Sequence, residues 1–143
     1  MCSSDLVFWD KVYEFIPAPG QFINELSQNT GFIGNETTPQ QAIEYATKRL
    51  NKKAHVSLGS FGGYIIIGFD HSIAPSGREY DFAIQGNAFN SSSGGSNEPG
   101  IVWVMQDING NGQPDDEWYE FISTEPELPS LSTHGVCALG AGL

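Results

Sequence analysis

The stretch Tyr64-Ile65-Ile66-Ile67-Gly68-Phe69 decides the fold class. It is a continuous apolar run, short enough for one strand, and the Gly62-Gly63 turn signal stands just before it. Such a run reads as a buried central strand. Working outward, His55 to Leu58 is a short β segment, and Tyr80 to Ala88 alternates, with Phe82, Ile84 and Gly86 on one side. Ile101 to Met105 and Trp118 to Ile122 are two further apolar runs. Upstream, Leu6 to Ile16 alternates roughly around Val12, Tyr13 and Phe15 and ends at Pro17-Ala18-Pro19-Gly20. Turn signals at Pro75-Ser76-Gly77, Ser91 to Asn97 and Asn109 to Gly112 separate these segments. Short strands at this spacing predict a mainly β chain, an antiparallel β-sandwich of jelly-roll type. Ser91 to Ser96 reads as a flexible surface loop inside the domain, because the β pattern continues on both sides.

One short α-helix is expected near residues 39–52. Thr38 suits the N-cap, Pro39 the first helical position, and Gln41 completes a capping box. Ala42, Ile43, Ala46 and Leu50 follow at helical spacing and form one apolar stripe. Lys48, Arg49, Lys52 and Lys53, four of the six basic residues, crowd the helix end, where cations favour the dipole.

The chain has 143 residues, enough for one domain, and 39% hydrophobic residues, enough for a packed core. Lys+Arg is 6 against Asp+Glu 17, a net charge of −11, which argues against nucleic acid and anionic membrane surfaces as partners. No apolar run is long enough to span a bilayer. No secretory leader precedes Cys2, yet Cys2-Ser3-Ser4-Asp5 looks like the mature start of a bacterial lipoprotein, with residues 1–6 as a tether. Cys2 and Cys137 allow one disulfide but no disulfide framework. Residues 128–143 turn to Pro, Ser, Gly and Ala with neither β alternation nor a helical stripe. This atypical tail leads to the expectation of a single, incomplete domain over 1–143.

The chemistry is concentrated in Asp107-Ile108-Asn109-Gly110-Asn111-Gly112-Gln113-Pro114-Asp115-Asp116-Glu117. Oxygen-bearing side chains fall at loop positions 1, 3, 5 and 9 (Asp107, Asn109, Asn111 and Asp115), and Gly112 takes the sharp-turn position 6. A hard cation needs six to eight oxygens around one point, and such a loop supplies most of them. Ca²⁺ is therefore the expected ligand, with Gln113 contributing its backbone carbonyl and Asp116 or Glu117 the remaining carboxylate. An EF-hand would end on a bidentate Glu at position 12, where Trp118 stands, so the loop is EF-like and set between strands. The same residues also favour a plain Asn-Gly hairpin turn.

A second polar cluster, Asp70, Asp81, Asn87 and Glu98, falls at strand ends that could converge at one rim as a cation or polar-ligand site. Simple turn and strand-end capping is the competing reading. His71 follows Asp70, but neighbours on a strand point to opposite faces, so no acid–base pair is expected. Gly59 to Gly63 lacks a following Lys-Ser/Thr and precedes a strand, so it is a turn with close backbone packing and not a phosphate loop. Nucleophile-elbow, His-Glu-x-x-His and Cys-x-x-Cys patterns are absent, and no residue is singled out as catalytic. Trp9, Trp103, Trp118, Tyr64 and Tyr119 mostly lie in apolar strands and are expected in the core. Trp118-Tyr119, beside the loop, is the best candidate for exposure and for stacking on a sugar ring.

Four segments in order carry a resemblance: residues 57–71, 80–89 and 98–107, then the Asp-x-Asn-Gly-Asn-Gly-x-Pro-Asp-Asp-x-Trp-Tyr-Glu segment (107–120). Together with Val12-Tyr13-Glu14-Phe15 and Pro17 to Phe22, they resemble the Bacteroidetes cell-surface lipoproteins often labelled "PKD domain-containing" or "cell surface protein". The resemblance covers roughly residues 7–121. It implies a secreted β-sandwich anchored through lipid on Cys2 at the outer membrane, often encoded near uptake systems. The chain departs from the family pattern after about Ile122. The expected role is calcium-stabilised, non-catalytic binding of a glycan or another small nutrient. The alternatives are a polysaccharide hydrolase, using carboxylates such as Asp81 and Glu98, and a structural adhesion module.

Overall fold

The run Tyr64–Phe69 is a strand in the computed structural model, which describes residues 9–20, 22–24, 36–60, 62–73, 82–96, 100–120 and 136–141. The elements are β1 (Lys11–Ile16), α1 (Pro39–Asn51), β2 (Tyr64–Phe69), β3 (Phe89–Ser91), β4 (Gly94–Ser96), β5 (Ile101–Gln106), β6 (Trp118–Glu120) and β7 (Val136–Ala141). Among the described residues the architecture is mainly β with one helix. Five strands form an open sheet in the order β1-β2-β7-β5-β6, and β3 and β4 form a separate hairpin.

The pairing departs from an all-antiparallel arrangement. β1/β2 and β5/β6 are antiparallel, but β7 runs parallel to both β2 and β5. The central strand therefore comes from the tail that carries no β alternation. A strand at the centre of a parallel set reads as a continuous apolar run, with no period of two, and Val136-Cys137-Ala138-Leu139-Gly140-Ala141 is such a run.

Helix α1 starts where the capping residues put it. The Gln41 amide donates to Thr38 Oγ1 at 3.3 Å, and the Thr38 amide donates back to Gln41 Oε1 at 3.1 Å. These two bonds satisfy donors that a helix start would otherwise leave orphaned. At the other end, Arg49 Nε and Nη2 donate to the His55 carbonyl at 3.1 and 3.0 Å, which turns the chain back toward the sheet.

The core sits between α1 and the β1–β2 side of the sheet. Val12, Phe15, Ala42, Ala46 and Ile65 are buried, with Trp9, Ile43, Tyr45, Leu50, Val56, Leu58 and Ile67 packed around them. Alanines on the inner face of α1 let the helix backbone approach the strands closely. Phe15, only 2% exposed, stacks on Tyr45 with ring centroids 6.1 Å apart.

A register shift between Val12 and Glu14 makes Tyr13 the extra residue of a β-bulge. The bulge keeps Val12 and Phe15 on the helix side while turning both Tyr13 and Glu14 to the other face. Gly68, paired with Lys11, lies flush beneath the Tyr13 ring, and a side chain there would strike that ring.

Other segments differ from the sequence reading. His55 to Leu58 forms no strand; Val56 and Leu58 pack on the core, and the Leu58 carbonyl accepts from Ala18 N at 2.9 Å. Of Tyr80 to Ala88, residues 82–88 are described and carry no strand. The expected loop Ser91 to Ser96 is instead the hairpin, closed by Ser91 Oγ donating to the Gly94 carbonyl at 2.6 Å. Backbone pairing needs no apolar pattern, so the hairpin was not marked in the residue types. The Gly59 to Gly63 reading is met: a Cβ on Gly59 (φ +84°) would land on the Ala18 carbonyl, and one on Gly63 on that of Leu58.

Candidate metal centre

Asp107 to Glu117 joins β5 to β6, whose register pairs Met105 with Trp118. The chain must reverse here within a short span, and Gly110 (φ +70°) and Gly112 (φ +69°) supply the left-handed backbone that this requires. The side-chain oxygens then fold inward onto the loop's own amides. Asp107 Oδ1 accepts from Asn111 N at 3.1 Å and Oδ2 from Gly112 N at 2.8 Å. Asn109 Oδ1 accepts from Asn111 N at 2.9 Å, and Asn111 Oδ1 from Gln113 N at 2.7 Å.

Asp115 completes the ring. Its Oδ1 accepts from the side-chain amides of Asn109 and Asn111, both at 3.2 Å. These hydrogen bonds, from Asn111 first and then Asn109, hold the Asp115 carboxyl below its ordinary value. Four residues picked by loop position thus share one hydrogen-bonded network.

The remaining carboxylates divide. Asp116 Oδ2 accepts from Ile108 N at 3.1 Å, which closes the loop's exit on its entrance. Glu117 turns to Tyr119, whose hydroxyl donates to Glu117 Oε2 at 2.7 Å; that bond, with the Glu117 charge, raises the Tyr119 pKa. Of the two candidates for a further carboxylate ligand, Asp116 is the one facing the loop. Gln113 follows the turn with its amide committed to Asn111.

Carboxylate and amide oxygens, without sulfur or imidazole, are the donor set of a hard cation such as Ca²⁺. Among the described residues, no three His, Cys, Asp or Glu side chains gather closely enough to hold a metal on their own. A cation here would therefore depend on Asn109 and Asn111 as well as Asp107 and Asp115. Asp107, Asn109 and Asn111 each keep an oxygen lone pair beyond these hydrogen bonds, and Asp115 keeps one on Oδ2, which accepts from Asn111 alone, while its Oδ1 accepts two.

One contact had no signal in the sequence. The Tyr13 hydroxyl donates to the Gly112 carbonyl at 2.9 Å, across 99 residues. Beside the loop, Tyr119 is 55% exposed and Ile108 68%, while Trp118 is half-buried.

The second cluster is described only in part. Asp70 and Asn87 are exposed, and Asp81 and Glu98 lie outside the described residues. Asp70 and His71 do meet, contrary to the alternation argument: His71 Nδ1 and Asp70 Oδ1 are 2.7 Å apart. They sit just past the end of β2, in a bend where strand alternation has lapsed. The His71 ring also stands edge-on to Phe69 at 5.7 Å. Cys2 and His134 lie outside the described residues. Trp9 packs on the core as expected, and Trp103 Nε1 is buried with no hydrogen-bond partner among the described residues. Neither a protein-family model nor a curated protein matches this chain.

Proposed function

We propose that this chain is a calcium-binding β-sandwich protein of the cell surface whose task is non-catalytic capture of a glycan or another small nutrient. The observation that carries the calcium reading is the single network linking Asp107, Asn109, Asn111 and Asp115. An acidic loop that already gathers its oxygens pays little ordering entropy when a cation enters. The exposed Tyr119 ring, beside the loop, offers a face on which a sugar could stack.

A second layer, and hence a sandwich, is supported by Met105. By register it lies on the sheet face away from α1, yet it is only 4% exposed. The neighbouring Trp103 Nε1, on the same face, is also shut off from water. Both sides of the sheet therefore carry covered apolar residues, which calls for a layer on the face opposite α1 as well. The ordered motifs from Ser57 to Glu120 support membership of the Bacteroidetes surface lipoproteins, with attachment through Cys2.

Thermal melting of the chain in calcium and in chelator tests the metal reading. An ion held only by the folded state at 100 times its Kd stabilises by about 2.7 kcal/mol. The melting midpoint should rise in millimolar calcium, and the rise should vanish in the Asp107→Ala/Asp115→Ala double variant. Coincident curves for the unaltered chain defeat the proposal.

A further inference from the structure

The bulge in β1 and the loop between β5 and β6 meet at one point. β1 and β5 are separated by β2 and β7, three strand spacings or about 14 Å. That is farther than a tyrosine side chain extends, so the loop folds back over the sheet to bring the Gly112 carbonyl to the Tyr13 hydroxyl at 2.9 Å. Three features arrange this contact. The extra residue at the bulge turns Tyr13 to the face opposite α1. Gly68 leaves the space beneath its ring. Lys11 Nζ stands over the ring, 4.2 Å from its centroid.

We infer that Tyr13 is a positioning residue for the Asp107 loop: its hydroxyl holds the Gly112 carbonyl and ties the loop's conformation to the edge strand. Gly112 is the sharp turn of the loop, and its amide donates to Asp107 while its carbonyl accepts from Tyr13. Gly112 is thus held through the two successive peptide groups that flank its Cα, and the turn that gathers the oxygens is set before any ion arrives. Only the consequence for calcium affinity rests on the calcium reading; the mechanical tie does not.

The test uses the 143-residue chain and its Tyr13→Phe variant, which keeps the ring over Gly68 and loses only the hydroxyl. In chelator, amide hydrogen exchange at Asn111, Gly112 and Gln113 should speed up about two- to tenfold, the range of one net hydrogen bond. Exchange in β2 should not change. Calcium binding by calorimetry should weaken by a similar factor. Tyr13→Ala, which also uncovers Gly68, should lower the melting midpoint where Tyr13→Phe barely moves it. Unchanged exchange at the three loop amides in Tyr13→Phe overturns the inference. If the unaltered chain binds no calcium, the metal reading falls, and the exchange rates still decide the role of Tyr13.

Discussion

Asn111 Nδ2 donates to both carboxylate oxygens of Asp115, at 3.2 and 3.0 Å. The charge of Asp115 is therefore held by the loop itself. Its folded-state pKa lies below the ordinary 3.8, through Asn111 first and Asn109 second. A depressed carboxyl contributes stability that is fully present above the unfolded value and is lost as pH falls through the folded one, because the unfolded chain binds the proton first. In calcium-free buffer, loop order should persist at pH 4 and above and decline only below the ordinary carboxylate range. Carboxyl NMR titration should show the Asp115 midpoint rising toward 3.8 in Asn111→Ala. A midpoint that does not move would show that these amides do not set its charge.

Thr38 and Gln41 make reciprocal bonds at the start of α1. Thr38→Ala should cost about 1 kcal/mol of stability, which is roughly 3–6 °C in melting midpoint for a domain of this size. Because the two residues form one box, Gln41→Ala added to Thr38→Ala should cost less than the sum of the single changes. Strict additivity in chemical denaturation would count against the box.

β7 pairs with strands on both sides, through Leu139 with Ile67 and Val104. A proline at Leu139 removes a backbone donor from an inner strand, where the ladder has no slack. Leu139→Pro should destabilise by about 3 kcal/mol or more and should uncouple β1–β2 from β5–β6. Hydrogen exchange should then show two independent sets of rates in place of one cooperative block. A variant that melts as one unit near the original temperature would remove β7 from the centre of the sheet.

Signals that act within a few residues were legible in the chain. The capping box needs only Thr38, Pro39 and Gln41; the inner strand at Tyr64 to Phe69 is announced by its own apolar run; and the network of Asp107, Asn109, Asn111 and Asp115 follows from loop position. What was not legible depends on partners distant in sequence. Val136 to Ala141 has no alternation because its neighbours are parallel, so a search for period two passes over it. The β3–β4 hairpin pairs through backbone between serines and glycines, which read equally well as a loop. Tyr13 shows nothing in its own segment that points to Gly112, since the bulge exists only once Val12 and Glu14 have taken their places against β2. Asp70 and His71 meet because the strand stops one residue before them.

The placement of β7 also sets an order of assembly. As the chain leaves the ribosome, β1 with β2, and later β5 with β6, form two ribbons, each marginal by itself. One rim of each ribbon, along β2 and along β5, stays bare until Val136 to Ala141 emerges and zips between them. Through that interval the nascent polypeptide carries two unpaired rims able to recruit strands from neighbouring chains. A sheet whose keystone is made after the strands it joins is most vulnerable to self-association just before translation reaches it.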